Sequence, residues 1–201
     1  MAAKTAEDVG TKDMAEGGMM EGKYKVILAD PPWAYGNNGC RGAAANEYST
    51  MTVEDICALP IASLAADDSV LLEWCTWPQL QEGLQVMKAW GFDYVTGFPW
   101  VKAKNISHDL WGELTFDVPY GVGFWARGCT EFVLIGKRGK PSPPKAGFIG
   151  LLSPNLSHSR KPDSIYHYAE SLPGPYLELF ARRRREGWDA FGNQVEGSIR
   201  L

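Results

Sequence analysis

An aspartate, two prolines and a tryptophan follow directly on a short apolar run, and no other segment of the chain is as well equipped for chemistry. The run Tyr24-Lys25-Val26-Ile27-Leu28-Ala29 suits a buried strand, and Asp30-Pro31-Pro32-Trp33 must end it, because two prolines cannot continue a central ladder. The Asp30 carboxylate and the Pro31 carbonyl, held by restricted proline backbone, make a pair of pre-positioned acceptors. Such a pair could hold both N–H bonds of a weakly nucleophilic ring amine, such as the exocyclic N6 amine of adenine, and localise its lone pair. Trp33 would offer a flat face on which an extruded base can stack. The fitting reaction is direct in-line displacement on a sulfonium methyl, with no metal and no covalent enzyme intermediate, driven mostly by positioning. Taken alone, the same four residues fit a strand-ending turn equally well.

The elements that must position this segment can be read along the chain. Residues 1–22 lack apolar periodicity and read as a disordered leader, so residues 23–201 form a single domain. Residues 34–50 read as a loop, and Thr52-Val53-Glu54-Asp55 has the spacing of an N-cap with an acid three residues on. Ser69–Cys75 reads as a second buried strand. Pro78 to Trp90 reads as a helix with Leu80, Leu84, Met87 and Trp90 on one stripe, closed by Gly91. Phe92–Val101 and Glu131–Gly136 read as strands, separated by a loop over 103–122, and 137–160 as a Pro/Gly/Ser-rich connection. A helix opening at Pro162 and stopping at Pro173-Gly174-Pro175 precedes strands at Tyr176–Ala181 and Trp188–Phe191. Strands alternating with helices predict an α/β fold, a mostly parallel sheet with helices on both faces. Ligands of such sheets sit outside the carboxyl ends of the strands, where Asp30 falls.

Composition bounds the function classes. The chain has 201 residues, 45% of them hydrophobic, and a formal net charge of −4. That charge leans against tight non-specific binding of nucleic acid, while leaving room for an enzyme that touches its polymer through a local basic patch. Cys40, Cys57, Cys75 and Cys129 form no CxxC pair, and His108, His158 and His167 do not stand beside them at zinc-site spacing, so no metal is expected. No apolar run reaches the length of a membrane span, and a soluble, cytoplasmic protein is expected.

From Lys25 onward the chain resembles the adenine-N6 methyltransferase family named after the 70-kDa subunit of the mRNA adenosine methyltransferase, the MT-A70 type. Four blocks carry the resemblance in the family's order. The first is Ala29-Asp30-Pro31-Pro32-Trp33, and the second runs from Tyr48-Ser49-Thr50-Met51 through Glu54-Asp55-Ile56 to Leu59-Pro60-Ile61. The third is Gly123-Phe124-Trp125-Ala126-Arg127 with Thr130-Glu131, Leu134-Ile135-Gly136 and Arg138-Gly139. The last joins Ser159-Arg160-Lys161-Pro162-Asp163, Pro173-Gly174-Pro175-Tyr176-Leu177-Glu178-Leu179-Phe180-Ala181-Arg182, Gly187-Trp188 and Gly192-Asn193-Gln194.

The resemblance implies a Rossmann-like methyltransferase fold with the catalytic block before the cofactor block, a permuted order, and S-adenosylmethionine as cofactor. It implies that Asp30, Pro31, Pro32 and Trp33 hold the adenine, with Asp30 also near the methionine part of the cofactor. Lys161 would pair with the cofactor carboxylate, Glu178, Phe180 and Arg182 would surround its ribose and adenine, and Asn193 and Gln194 would bond the ribose and neighbouring groups. Thr130 departs from the histidine that many relatives carry there. A Gly-rich loop is absent, and Arg182–Arg185 stands in its place, which suits a sulfonium nucleoside with no phosphate to cradle.

Outside the blocks, Tyr35 and Tyr48 are candidates to line the base pocket or to pack the loop. Arg41, Lys102, Lys104, Arg127 and the arginines after Arg182 are candidate phosphate contacts, or else solvated charges. The expected activity is N6-adenine methylation of DNA; RNA adenosine methylation and a non-catalytic scaffold subunit are the alternatives. Enzymes of cytosine N4 or of protein glutamine more often carry Ser or Asn before the two prolines. The loops 34–50 and 103–122, or a second copy of the chain in a homodimer, are expected to recognise the target.

Overall fold

The computed structural model describes residues 23–34, 50–119, 121, 125–154, 160–199 and 201. The expected leader, and with it Tyr35, Arg41, Tyr48 and His158, lie outside the described residues.

A seven-stranded sheet in the order β7-β3-β6-β2-β1-β8-β9 forms the frame. Its strands are β1 (Tyr24–Ala29), β2 (Ala65–Cys75), β3 (Asp93–Lys102), β6 (Thr130–Arg138), β7 (Leu151–Ser153), β8 (Tyr176–Leu179) and β9 (Trp188–Phe191). β1 pairs in parallel with both β2 and β8, β8 with β9, and β3 with β7; β6 runs antiparallel between β2 and β3. The result is the mostly parallel α/β sheet expected. β1 and β2 are near-continuously apolar because a strand in the middle of such a sheet is buried on both faces.

Alternate residues of these strands feed two core layers. Ile27, Ala29, Leu71, Cys75, Leu134 and Leu177 face one layer, shared with α1 (Val53–Ala58), α2 (Ile61–Leu64) and α3 (Leu80–Ala89). Val26, Leu28, Leu72, Trp74 and Val133 face the other, which α4 (Ser164–Ala169) covers with Ile165, Tyr166, Tyr168 and Ala169. The Thr52 cap forms as its spacing predicts: Thr52 Oγ1 accepts from the Asp55 amide at 3.1 Å and donates to the Asp55 carboxylate at 2.8 Å.

The structure corrects the sequence reading in three places. The buried stripe of α3 runs through Gly83, Val86 and Met87 to Trp90, and Leu84 is exposed. Gly83 belongs on that stripe because a Cβ there would press on Cys75 Sγ and the Leu134 side chain at 3.0 Å. The segment 103–122 contains a two-stranded hairpin, β4 (Lys104–His108) with β5 (Leu114–Asp117). Asp109 Oδ1 closes its turn by accepting from the amides of Trp111 and Glu113, both at 2.8 Å, and Gly112 supplies a φ of +79°. The connection 137–160 includes β7, an edge strand on β3.

Candidate active site

Asp30 stands at the carboxyl end of β1, one residue beyond Ala29, which is in register with Leu179 of β8. The backbone after it is pinned locally. The Trp33 amide donates to the Pro31 carbonyl at 2.9 Å, the Met51 amide to the Pro32 carbonyl at 2.9 Å, and the Ala34 amide to the Met51 carbonyl at 3.2 Å. Thus the segment leading into α1 clamps the Asp-Pro-Pro-Trp turn. The Pro31 carbonyl spends one lone pair on Trp33 and keeps the other.

Trp33 differs from the expectation of an open stacking face. Its ring is 4% exposed, packed in the layer beneath α1, and its indole Nε1 finds no acceptor among the described residues. An aromatic side chain following two prolines into the domain is drawn by burial, and its large apolar ring outweighs the unmet N–H. Here it anchors the turn from below.

A cleft of about 380 Å³ opens beside Asp30 at the carboxyl ends of β1 and β8, within the size range of small-ligand sites. Asp30, Lys161, Glu178, Phe180 and Arg182 line it together, as the sequence grouping implies. Leu28, Trp74, Ile165 and Tyr166 supply apolar wall, and Arg160 and Arg183 also border it. Phe180 holds a φ of +61°, a left-handed conformation uncommon outside glycine, at the end of β8. Strain of that kind at a cleft wall is a mark of a constrained site.

The polar groups form two clusters. In the first, Lys161 Nζ lies 2.9 Å from Asp30 Oδ1 and 2.9 Å from Glu131 Oε2, while Lys102 Nζ lies 2.5 Å from Glu131 Oε1. Burial pushes the Asp30 carboxyl above its usual range, and Lys161 only partly draws it back. Burial alone would lower the Lys161 ammonium, but Asp30 and Glu131 reverse this and hold it above its ordinary value. Glu131 is shielded from water too, yet its two lysines hold it below the usual carboxylate range. In the second cluster, the Tyr166 hydroxyl stands 3.0 Å from each Glu178 carboxylate oxygen. Burial pushes Glu178 up to about 7, with Tyr166 and Arg183 opposing and the Asp30 charge adding to the rise.

Several sequence candidates fall elsewhere. Asn193 and Gln194 sit exposed in the turn after β9 and do not line the cleft. Gly192 before them allows the turn to cross close to Ala181, whose backbone carbonyl a Cβ would strike. Lys104 and Arg127 are exposed, and Lys102 is committed to Glu131. Arg183 pairs with Asp163, Arg185 forks onto Glu170 at 2.8 and 3.0 Å, and Arg184 donates to the Glu196 carbonyl at 2.6 and 2.8 Å. Sequence reasoning gave no role to Glu131 or Tyr166. The signal for Glu131 was present, a lone acid opening an otherwise apolar strand; for Tyr166 there was none beyond its place among helix residues.

The donor set suits S-adenosylmethionine: an ammonium for a carboxylate, two carboxylates for an amine and for ribose hydroxyls, and an aromatic ring for adenine. The MT-A70 family model matches residues 24–194. The Type II methyltransferase M.MunI of Mycoplasma sp is 31% identical over 197 residues, covering 86% of this chain and 78% of that protein. The N(6)-adenosine-methyltransferase MT-A70-like protein of Drosophila melanogaster is 31% identical over 90% of this chain, and the human N(6)-adenosine-methyltransferase catalytic subunit METTL3 is 30% identical over 88%. The chain spans only 28% and 29% of the length of these two. MT-A70 methyltransferases use S-adenosylmethionine as methyl donor. With its sheet, its Asp-Pro-Pro-Trp turn and the match running from β1 past β9, this chain belongs to the MT-A70 family of N6-adenine methyltransferases.

Proposed function

We propose that the chain methylates the N6 amine of adenine in DNA. The observation that carries this reading is Asp30, an acceptor fixed at the carboxyl end of β1 and held 2.9 Å from the Lys161 ammonium in a small-ligand cleft. When bound, S-adenosylmethionine supplies an electrophilic methyl group on sulfonium. Asp30 accepts one N–H of the target amine, and the free lone pair of the Pro31 carbonyl accepts the other. The clamp from Met51 holds both acceptors in place before the base arrives. A carboxyl pushed above its usual range is also a competent acceptor for the proton that the methylated amine must release. Lys161 holds the cofactor carboxylate, Glu178 its ribose hydroxyls, and Phe180 and Arg182 its adenine. Asn193 and Gln194, exposed in the turn after β9, reach the ribose side only if that turn moves toward the cleft.

Pro32 fixes the turn, and Trp33 anchors it or, once turned outward, stacks on the base. Lys104 and Arg127 serve the phosphate backbone, with Lys102 behind them, and Tyr35, Arg41 and Tyr48 contribute to substrate binding. DNA is taken over RNA on the likeness to the Type II methyltransferase M.MunI of Mycoplasma sp, 31% identical over 86% of this chain. Among the described residues no helix is long and apolar enough to cross a membrane. A cytoplasmic setting and a homodimer complete the reading.

Tritiated methyl transfer from S-adenosylmethionine to matched DNA and RNA, followed by nucleoside mass spectrometry, tests the proposal. N6-methyldeoxyadenosine from DNA is the expected product. Label in RNA alone overturns the substrate and keeps the chemistry, whereas label in neither overturns the activity.

A further inference from the structure

One carboxylate at the edge of the cleft holds two lysines. Glu131, the second residue of β6, lies beside Trp100 of β3, and its side chain is 14% exposed. Oε1 takes Lys102 at 2.5 Å and Oε2 takes Lys161 at 2.9 Å, so Asp30, Lys161, Glu131 and Lys102 form an alternating chain whose charges cancel.

A bare Asp30–Lys161 pair would already be neutral. What the second carboxylate adds follows from the donors. An ammonium has three N–H groups and can serve more than one anion. Lys161 Nζ is ion-paired at 2.9 Å with both Asp30 Oδ1 and Glu131 Oε2, and its contact with Oε2 is ionic, not a hydrogen bond. In the proposed reaction, Asp30 must accept from the target amine while Lys161 donates to the cofactor carboxylate. Their mutual contact then has to loosen inside a shielded cleft. An ammonium released there from its only counter-ion would be strongly destabilised. Glu131 removes that penalty, because Lys161 stays paired while its other contact changes.

We infer that Glu131 is a positioning residue, an anchored pivot on which Lys161 turns from Asp30 to the free α-carboxylate at the amino-acid end of the bound cofactor. The same carboxylate holds Lys102, so the cation that meets the cofactor and a cation at the end of β3 share one anchor. This rests on the proposed function, and it concerns the amino-acid end of the ligand only.

That restriction gives the test. S-adenosylhomocysteine carries the carboxylate and no transferable methyl, and 5′-methylthioadenosine carries the nucleoside thioether without the amino-acid end. Both are titrated calorimetrically into the full chain and into Glu131→Gln. The pivot predicts about tenfold weaker binding of S-adenosylhomocysteine, the loss of one charge-assisted contact. Binding of 5′-methylthioadenosine stays within about twofold, since it shares no partner with Glu131. Equal weakening of both ligands assigns Glu131 a merely structural role and overturns the pivot, as does no weakening of either. If Glu131→Gln fails to fold, Glu131→Asp is read in the same way, and failure of both variants to fold also overturns the pivot. A wild-type chain that binds neither ligand overturns the proposed function itself.

Discussion

Lys161 Nζ sits 2.9 Å from Asp30 Oδ1, bringing the residue that ends β1 against the segment that leads into α4. The contact places the candidate acceptor and the candidate cofactor cation in one cleft, their side chains 24% (Asp30) and 19% (Lys161) exposed. If Asp30 acts on the target amine, Asp30→Asn keeps the shape and loses the charged acceptor. Methyl transfer should fall at least about a hundredfold, the scale of one pre-positioned electrostatic contact. Affinity for S-adenosylhomocysteine should change far less. Single-turnover transfer and calorimetry read the two separately, and a variant with near-normal transfer would remove Asp30 from the chemistry.

Glu178 gives a pH dependence with a definite sign. Its carboxyl is pushed up to about 7, mainly by burial, so it is protonated below that pH and ionised above it. An ionised carboxylate is the stronger acceptor for ribose hydroxyls. Nucleoside affinity should therefore rise as pH increases through about 7, and Glu178→Gln should flatten the profile. Calorimetric titration of 5′-methylthioadenosine from acid to alkaline pH checks this without interference from the amino-acid end. A pH-independent wild type contradicts the assignment.

Much of this site was legible in the sequence, for physical reasons that can be named. Prolines at 31 and 32 force β1 to end, so Asp30 had to lie at the carboxyl end of that strand. The blocks around Lys161 and Glu178 marked one functional group, and the fold does bring them to one cleft. The burial of Trp33 was not legible, because it depends on how Met51 and α1 close over it, a tertiary relation absent from local pattern. The β4–β5 hairpin was missed although Leu114 and Phe116 alternate with polar residues, since its strands are short and exposed. The pairing of Glu131 with two lysines depends on β3 lying beside β6, which spacing alone does not give.

The arginine run offers a test of which charges are available to nucleic acid. Arg185 forks onto Glu170 with its guanidinium 4.3 Å over the Tyr166 ring, and Arg183 pairs with Asp163. Charges already matched within the chain release few counterions from a polymer. Arg185→Gln should leave the salt dependence of DNA binding nearly unchanged, whereas Arg127→Gln and Lys104→Gln should each reduce the log–log slope by about 0.9 if they meet phosphates. Fluorescence anisotropy across a salt series measures the slopes. A full-unit drop for Arg185→Gln would show that its pairing with Glu170 opens on binding.

Glu73 is the clearest place where the fold carries a cost. It lies in the centre of the sheet, in register with Ala29 on β1 and Leu134 on β6, with no exposed surface. Neither carboxylate oxygen has a hydrogen-bond partner among the described residues. Burial pushes its carboxyl well above the ordinary carboxylate range, so the folded chain keeps it protonated where the unfolded chain, ionising near about 4.3, does not. Above that pH the native state binds more protons than the unfolded state, and stability falls as pH rises until the folded carboxyl itself ionises. Glu73→Leu removes both the unmet polar atoms and this slope. It should stabilise the chain by about 1–3 kcal/mol, the usual cost of an unsatisfied buried polar group. The advantage over wild type should widen from acid toward neutral pH. Urea unfolding of both proteins at several pH values provides the comparison. A gap that stays constant with pH would mean that Glu73 does not hold its proton in the folded chain, and a less stable leucine variant would mean that its carboxyl has a hydrogen-bonding partner.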